Sequence, residues 1–176
     1  MGEKAMFLTS SDIKLIKLWI EGIGSQTFKR RARMAMWNYN HYIGLSYNII
    51  GFGMSRVVFD LNNGFALKVA TNAEGINCNK VEDVIYNFAP PSLKKYLAEV
   101  KEHGYGWIIM EKMKNVPDTE ENREKVLRMK EKFKKYGIHA GDIVDEENKP
   151  KWKNIGINEE GKIKVVDYGH FNIFHN

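Results

Sequence analysis

The chain has 176 residues, of which 43% are hydrophobic and 28% charged, with a formal net charge of +5 and one cysteine. That suits a single domain with an apolar core and excludes a disordered tail. Apolar runs such as Ile49-Ile50-Gly51-Phe52-Gly53-Met54 are too short to span a bilayer, no basic stretch leads into an apolar leader, and Cys78 has no internal disulfide partner, so a secreted or membrane protein is excluded and the cytoplasm is expected.

Ser11 predicts the N-cap of a helix over 11–21, with Ile13, Ile16 and Ile20 on one face and Leu15, Leu18 and Trp19 widening it. After the turn Gly22-Ile23-Gly24-Ser25, a second helix over 26–42 places Phe28, Ala32, Ala35, Met36 and Tyr39 on one side. Lys29, Arg30 and Arg33 fall mostly on the other. The excess of positive charge sits in residues 1–44, and the remainder is nearly neutral.

From Ser46 the pattern alternates. Strands are expected at 47–51, 55–60 and 65–70, the last two joined by a hairpin turn at Leu61-Asn62-Asn63-Gly64. Helical spacing returns over 77–88, with Val81, Val84, Ile85 and Phe88 apolar, and Pro90-Pro91 ends it. Strands at 97–102 and 107–113 follow, then a long helix capped by Asp118 or Thr119 that stops at Gly137. Short strands at 155–157 and 162–166 close the pattern. The fold class is α+β. Three regions are expected: a basic helical hairpin at 1–44, a sheet-bearing region at 45–113, and a loop-rich region at 114–176.

Gly51-x-Gly53, between two strands, lets backbone N–H groups approach a polyphosphate, although two glycines in a hairpin usually serve the turn alone. Lys68 lies within an apolar strand, where it faces either solvent or a buried anion. Glu82, at the margin of the following helix's apolar stripe, is the carboxylate best placed to meet it; Glu74 and Asp83 are competitors. Further on, Asp142, Asn154 and Asp167 supply a base and oxygen ligands suited to Mg²⁺.

In this order, the glycine hairpin, Ala-x-Lys68, Glu82, His139-x-Gly-Asp142, Asn154 and Val-Val-Asp167-Tyr-Gly resemble the protein-kinase-like superfamily. Its small bacterial and phage-type members and its aminoglycoside-phosphotransferase branch are the nearest in pattern. The resemblance runs from Ser46 to Gly169 and implies a kinase N-lobe with a five-stranded antiparallel sheet, followed by a reduced C-lobe.

It implies ATP and Mg²⁺ as cofactors. Gly51 and Gly53 then act as the Gly-rich loop, Lys68 as the phosphate-binding lysine and Glu82 as its partner. Met110 becomes the gatekeeper, with backbone groups of Glu111 and Met113 on adenine. Asp142 is the base, His139 its support, and Asn154 and Asp167 the metal ligands. The phage-type members imply a host protein as acceptor. Three departures stand out: Arg56 replaces the third glycine, the segment from Asp145 to Trp152 lengthens the interval to Asn154 and makes Asp145 a rival base, and only seven residues follow Gly169.

Two other function classes fit parts of the pattern. One is a pseudokinase that binds nucleotide or a partner protein without turnover. The other is a DNA-binding regulator whose second helix, with Lys29, Arg30 and Arg33, enters a groove; against it, both helices carry enough large apolar residues to require packing on the sheet. Among the remaining histidines, His41, His103, His170 and His175 show no zinc-ligand spacing with one another or with Cys78. The lysine-rich run 130–135 reads as a solvated helix face.

Overall fold

The computed structural model describes residues 7–23 and 43–173. The expected second helix, with Lys29, Arg30 and Arg33, lies outside them. Two compact units divide the chain, one of residues 1–79 and 101–110, the other of residues 80–100 and 111–176.

In the first unit, α1 (Ser10–Glu21) begins earlier than its expected Ser11 cap, because Thr9 and Asp12 form a capping box. The Thr9 hydroxyl accepts the Asp12 N–H at 3.1 Å, and Asp12 Oδ2 accepts the Thr9 N–H at 2.9 Å. The Tyr47 hydroxyl donates to the same carboxylate oxygen at 2.9 Å. Strands β1 (Asn48–Phe52), β2 (Arg56–Asp60) and β3 (Phe65–Ala70) follow as an antiparallel meander. Asn62 at φ 57° and Gly64 at φ 89° close the turn between β2 and β3.

Val57, Phe59, Leu67 and Val69 share one core with Ile16, Trp19 and Ile20 of α1. The Trp19 Nε1–H donates to the Ala70 carbonyl at 2.8 Å. The apolar stripe of α1 is therefore spent on packing, as its large residues require.

Helix α2 (Ala73–Phe88) starts four residues before the expected position. Asn72 accepts the Gly75 N–H at 2.9 Å and so acts as an N-cap upstream of the recognisable apolar spacing. Pro90 and Pro91 do more than stop α2: they open the one-turn helix α3 (Pro91–Lys94).

The strand expected at 97–102 is displaced to β4 (Val100–Gly104). Leu97 and Ala98 pair instead with Val165, through a parallel bridge and an N–H to carbonyl bond of 2.9 Å. With β5 (Trp107–Glu111) the strands order as β1-β2-β3-β5-β4, a five-stranded antiparallel sheet.

In the second unit, Thr119 caps α4 (Glu120–Lys135), with acidic Glu120 and Glu121 in its first turn and Lys132, Lys134 and Lys135 in its last, as the helix dipole favours. Gly137 ends it at φ 71°. Phe133 of α4 is fully buried and packs edge-on against Phe171 at 5.3 Å and Tyr96 at 6.5 Å.

Small sheets frame the loops of this unit. β7 (Ile138–His139) pairs with β10 (Asn172–Ile173). β6 (Lys114–Asn115), β8 (Ile155–Ile157) and β9 (Ile163–Val165) form the other. No described helix is long and apolar enough to cross a membrane.

Candidate active site

The β1–β2 turn closes with the Gly53 N–H bonded to the Arg56 carbonyl at 2.9 Å. Its return is tied to the start of α2. Asn72 Nδ2 donates to the Met54 carbonyl at 3.0 Å, and the Thr71 N–H to the Ser55 carbonyl at 2.8 Å. Gly75 packs so tightly on the Ser55 carbonyl that a Cβ would overlap it. Gly51 lies opposite Val58, beside a register shift, and neither it nor Gly53 adopts positive φ. Ile50, Phe52 and Met54 are exposed.

Arg56, at the position of the missing third glycine, is buried, and its Nη1 donates to Asn79 Oδ1 at 3.1 Å. Lys68 pairs across from Val58 and alternates with the core residues Leu67 and Val69, so it occupies the other face of the strand. It is only 7% exposed, which removes the solvent-facing alternative. A lysine at that burial must be engaged by polar groups.

The second unit brings three expected residues together through one asparagine. Asn154, buried at the end of the 3₁₀ turn Trp152–Asn154, donates its side-chain N–H to the Asp142 carbonyl at 2.9 Å. Its own carbonyl accepts the N–H groups of Val166 at 2.8 Å and Asp167 at 3.3 Å. The segments carrying Asp142, Asn154 and Asp167 are thus joined at a single residue. Gly156 completes this local build, since a Cβ there would overlap Met113.

Glu82 is fully buried, and its Oε1 accepts the Tyr168 N–H at 3.2 Å. Tyr168 is itself fully buried, with its hydroxyl on the Ala98 carbonyl at 2.9 Å. The rival carboxylates differ: Glu74 is exposed, and Asp83 accepts a bond from Asn87 at 2.7 Å.

The Asp142 carboxylate is contacted on both oxygens. Lys151 Nζ lies 3.2 Å from Oδ1, and His170 Nδ1 lies 3.0 Å from Oδ2. His139 is exposed, and its ring lies against Gly141, where a Cβ would come within 2.9 Å of Cε1. Three residues on, Asp145 serves a turn: its Oδ1 accepts the N–H groups of Glu147 and Lys149, both at 2.9 Å. Val144 bridges Pro150, so the lengthened segment is a small hairpin. A cleft of about 770 Å³ runs along it, lined among others by Lys130, His139, Gly141 and Lys151.

Met110 is buried. The Glu111 N–H is already bonded to the Glu99 carbonyl at 2.8 Å, and its carboxylate meets Lys164 at 2.5 Å. Of the backbone groups expected on adenine, this N–H is committed within the protein. Met113 is partly exposed.

Two residues on the Asp142 carboxylate, Lys151 and His170, escaped the sequence reading. Lys151 is one lysine among several in a charged segment, and no spacing in the sequence marks His170. Among the described residues no cluster of three His, Cys, Asp or Glu side chains forms a metal site.

No family model and no curated protein matches the chain. Among solved structures it is similar to the bifunctional kinase-methyltransferase WbdD, with a TM-score of 0.51 and 18% identity over 69% of this chain and 31% of that one. The fold is kinase-like. A structure of WbdD with the kinase inhibitor LY294002 matches at a TM-score of 0.50 and 19% identity, over 69% of this chain and 32% of that one. The chain spans about a third of the length of these WbdD chains. At such identities the likeness is one of fold alone.

Proposed function

We propose that the chain is an ATP- and Mg²⁺-dependent phosphotransferase of protein-kinase-like type acting on a protein acceptor. The observation that supports it best is the Asn154 junction, where one buried residue ties the Asp142 segment through its side-chain amide and the Asp167 segment through its backbone carbonyl. Phosphoryl transfer depends mainly on positioning and charge stabilisation, and rigidly joined loops supply the first.

The donor set suits the metal. Asn154 spends its Nδ2 on Asp142 and accepts no bond at Oδ1 from a described residue, which leaves an amide oxygen for a hard cation beside the Asp167 carboxylate. Mg²⁺ is commonly held by one or two such side chains plus substrate phosphates. When bound, it neutralises charge on those phosphates.

Lys68 carries the positive charge for the phosphates and Glu82 orients it, while the turn at Gly51 and Gly53 covers them. Met110 and the backbone of Glu111 and Met113 border the base. Asp142 takes the acceptor's proton, and His139, packed on Gly141, holds its loop. The turn role of Asp145 favours Asp142 as the base.

A second reading, nucleotide binding without turnover, draws on the two side chains that already engage Asp142. Thermal unfolding with and without ATP and Mg²⁺ tests the shared part of both readings. A ligand that binds only the folded state raises the melting temperature. Lys68→Met and Asp167→Asn should each abolish or sharply reduce that rise. An equal rise in wild type and both variants overturns the nucleotide site.

A further inference from the structure

Met54, Ser55 and Arg56 are consecutive, and each makes a bond to the segment 71–79. The Met54 carbonyl accepts Asn72 Nδ2 at 3.0 Å, and the Ser55 carbonyl accepts the Thr71 N–H at 2.8 Å. Arg56 Nη1 donates to Asn79 Oδ1 at 3.1 Å. Gly75 closes the seam, since a Cβ there would overlap the Ser55 carbonyl. The β1–β2 turn is thus fastened along the start of α2 by polar ties.

Apolar burial contributes little to holding the tip, where Met54 is 93% exposed. A glycine at position 56 would offer no side chain to α2 and would widen the backbone's conformational range. Arginine reverses both effects. Its side chain is buried, and a guanidinium is kept at such burial only where polar groups engage it. Arg56 pairs across from Ala70 and Val58 from Lys68, so Arg56 and Lys68 share one face of the sheet, two residues apart along the strands. The tie to Asn79 therefore stands on the face that carries the lysine assigned to the phosphates.

We propose that Arg56 is a positioning residue: through Asn79 it fixes the turn of Gly51 and Gly53 on α2 before nucleotide arrives. The turn is then a preset cover for the phosphates and not a flap that ATP must order; the inference rests on the phosphotransferase reading above. Ordering a loose segment on binding lowers affinity, and a segment already held in its bound form avoids that loss. The gain belongs to ligands that carry phosphates, because the turn covers those and not the base.

The test is amide exchange of the full chain with and without ATP and Mg²⁺, joined to affinities for ATP and adenosine. The Gly53 N–H, bonded to the Arg56 carbonyl, and the Thr71 N–H, bonded to the Ser55 carbonyl, report on the turn. In the wild type both should exchange slowly without nucleotide and change little when it is added. Arg56→Met keeps the apolar stem and removes the guanidinium. It should speed both amides on the order of 10-fold or more, as loss of a bond to a charged group implies. The Leu61 N–H, bonded to the Phe65 carbonyl in the next turn of the meander, should be unchanged. Affinity for ATP should fall by a similar factor while affinity for adenosine holds. Asn79→Asp retains an acceptor for Arg56, so it should keep both the slow exchange and the wild-type affinity for ATP.

Fast exchange of the two amides in free wild type, slowed only by ATP, overturns the proposal without recourse to any variant. So does unchanged exchange in Arg56→Met, or an Asn79→Asp protein that behaves as Arg56→Met does. Equal losses of ATP and adenosine affinity in Arg56→Met assign the residue to stability alone and overturn the positioning role. A wild type with slow turn amides that binds neither ligand overturns the nucleotide reading and this role with it, leaving the ties as structure only.

Discussion

The two units position their chemistry-bearing residues by different means. In the first, Lys68 is held by strand register, its neighbours Leu67 and Val69 locked into the core with α1. In the second, Asp142 and Asp167 sit on irregular segments, and the hydrogen bonds of one buried residue join them, the Asn154 side-chain amide on the Asp142 carbonyl and its backbone carbonyl on the N–H groups of Val166 and Asp167. Apolar packing is additive and tolerant of small shifts, whereas a buried hydrogen bond is either made or left unmade at full cost. The first arrangement should lose stability in proportion to the area removed, the second all at once and locally.

The largest expected effect comes from the apolar side of this contrast. Leu67 is fully buried, and Leu67→Ala should cost about 2–5 kcal/mol in urea unfolding, by lost burial and the cavity left behind. A loss well below that range would mean that the sheet does not rely on this core. Asn154→Ala comes next, at about 1–3 kcal/mol, because it strands the Asp142 carbonyl without its donor. Its more telling readout is amide exchange. The Lys151 N–H, bonded to the Ile143 carbonyl next to the Asp142 carbonyl that loses its donor, should exchange faster in this variant. The N–H groups of Val166 and Asp167, held by the backbone carbonyl of residue 154, and those of β2 and β3 should keep their protection. Uniform loss of protection across both units would erase the contrast.

What was legible in the sequence follows the same division. The meander β1–β3 shows as period-two alternation with an Asn-Gly turn, and α4 as an apolar stripe between Thr119 and Gly137. Each is specified within a short window. The start of α2 was hidden because it rests on the Asn72 cap, which also bonds the Met54 carbonyl, and on the close fit of Gly75 to the Ser55 carbonyl, not on apolar spacing. Two-residue strands such as β7 and β10 have no period to read and exist only through distant partners. Asp142, Asn154 and Asp167 were visible as residue types in order. Lys151 and His170 were not, since their meaning arises only where folding sets them on one carboxylate.

A smaller effect tests the edge of the first unit. Burial pushes the Asp12 carboxyl up, but bonds from the Thr9 hydroxyl, the Thr9 N–H and the Tyr47 hydroxyl outweigh it and hold the group below its ordinary value of 3.8. Because the folded value lies below the unfolded one, the contribution is present above 3.8 and is lost as pH falls through the folded value. Thr9→Ala should cost about 1 kcal/mol near neutral pH, by removing the cap. The cost should shrink in acid, where Asp12 is protonated. An equal cost at both pH values would assign the effect to helix propensity instead.

The smallest expected effect is at Asp145, and it decides which loop carries the chemistry. Asp145 Oδ1 accepts two backbone N–H groups within the hairpin that Val144 and Pro150 close. Asparagine presents an amide oxygen in the same place, so Asp145→Asn keeps the turn and removes only an exposed charge. Surface changes of that kind stay within about 0.5 kcal/mol. Phosphate transfer should be unaltered, since the turn uses the oxygen as an acceptor and needs no exchange of protons. Asp142→Asn keeps its shape too, but a neutral amide can neither take a proton nor stabilise the charge of a reacting neighbour. It should therefore lower transfer while sparing the ATP-induced melting shift, because the base acts on the acceptor and the ATP contacts lie elsewhere. Retained transfer in Asp142→Asn together with loss in Asp145→Asn would move the catalytic position three residues along the chain and make the Asn154 junction a structural tie alone.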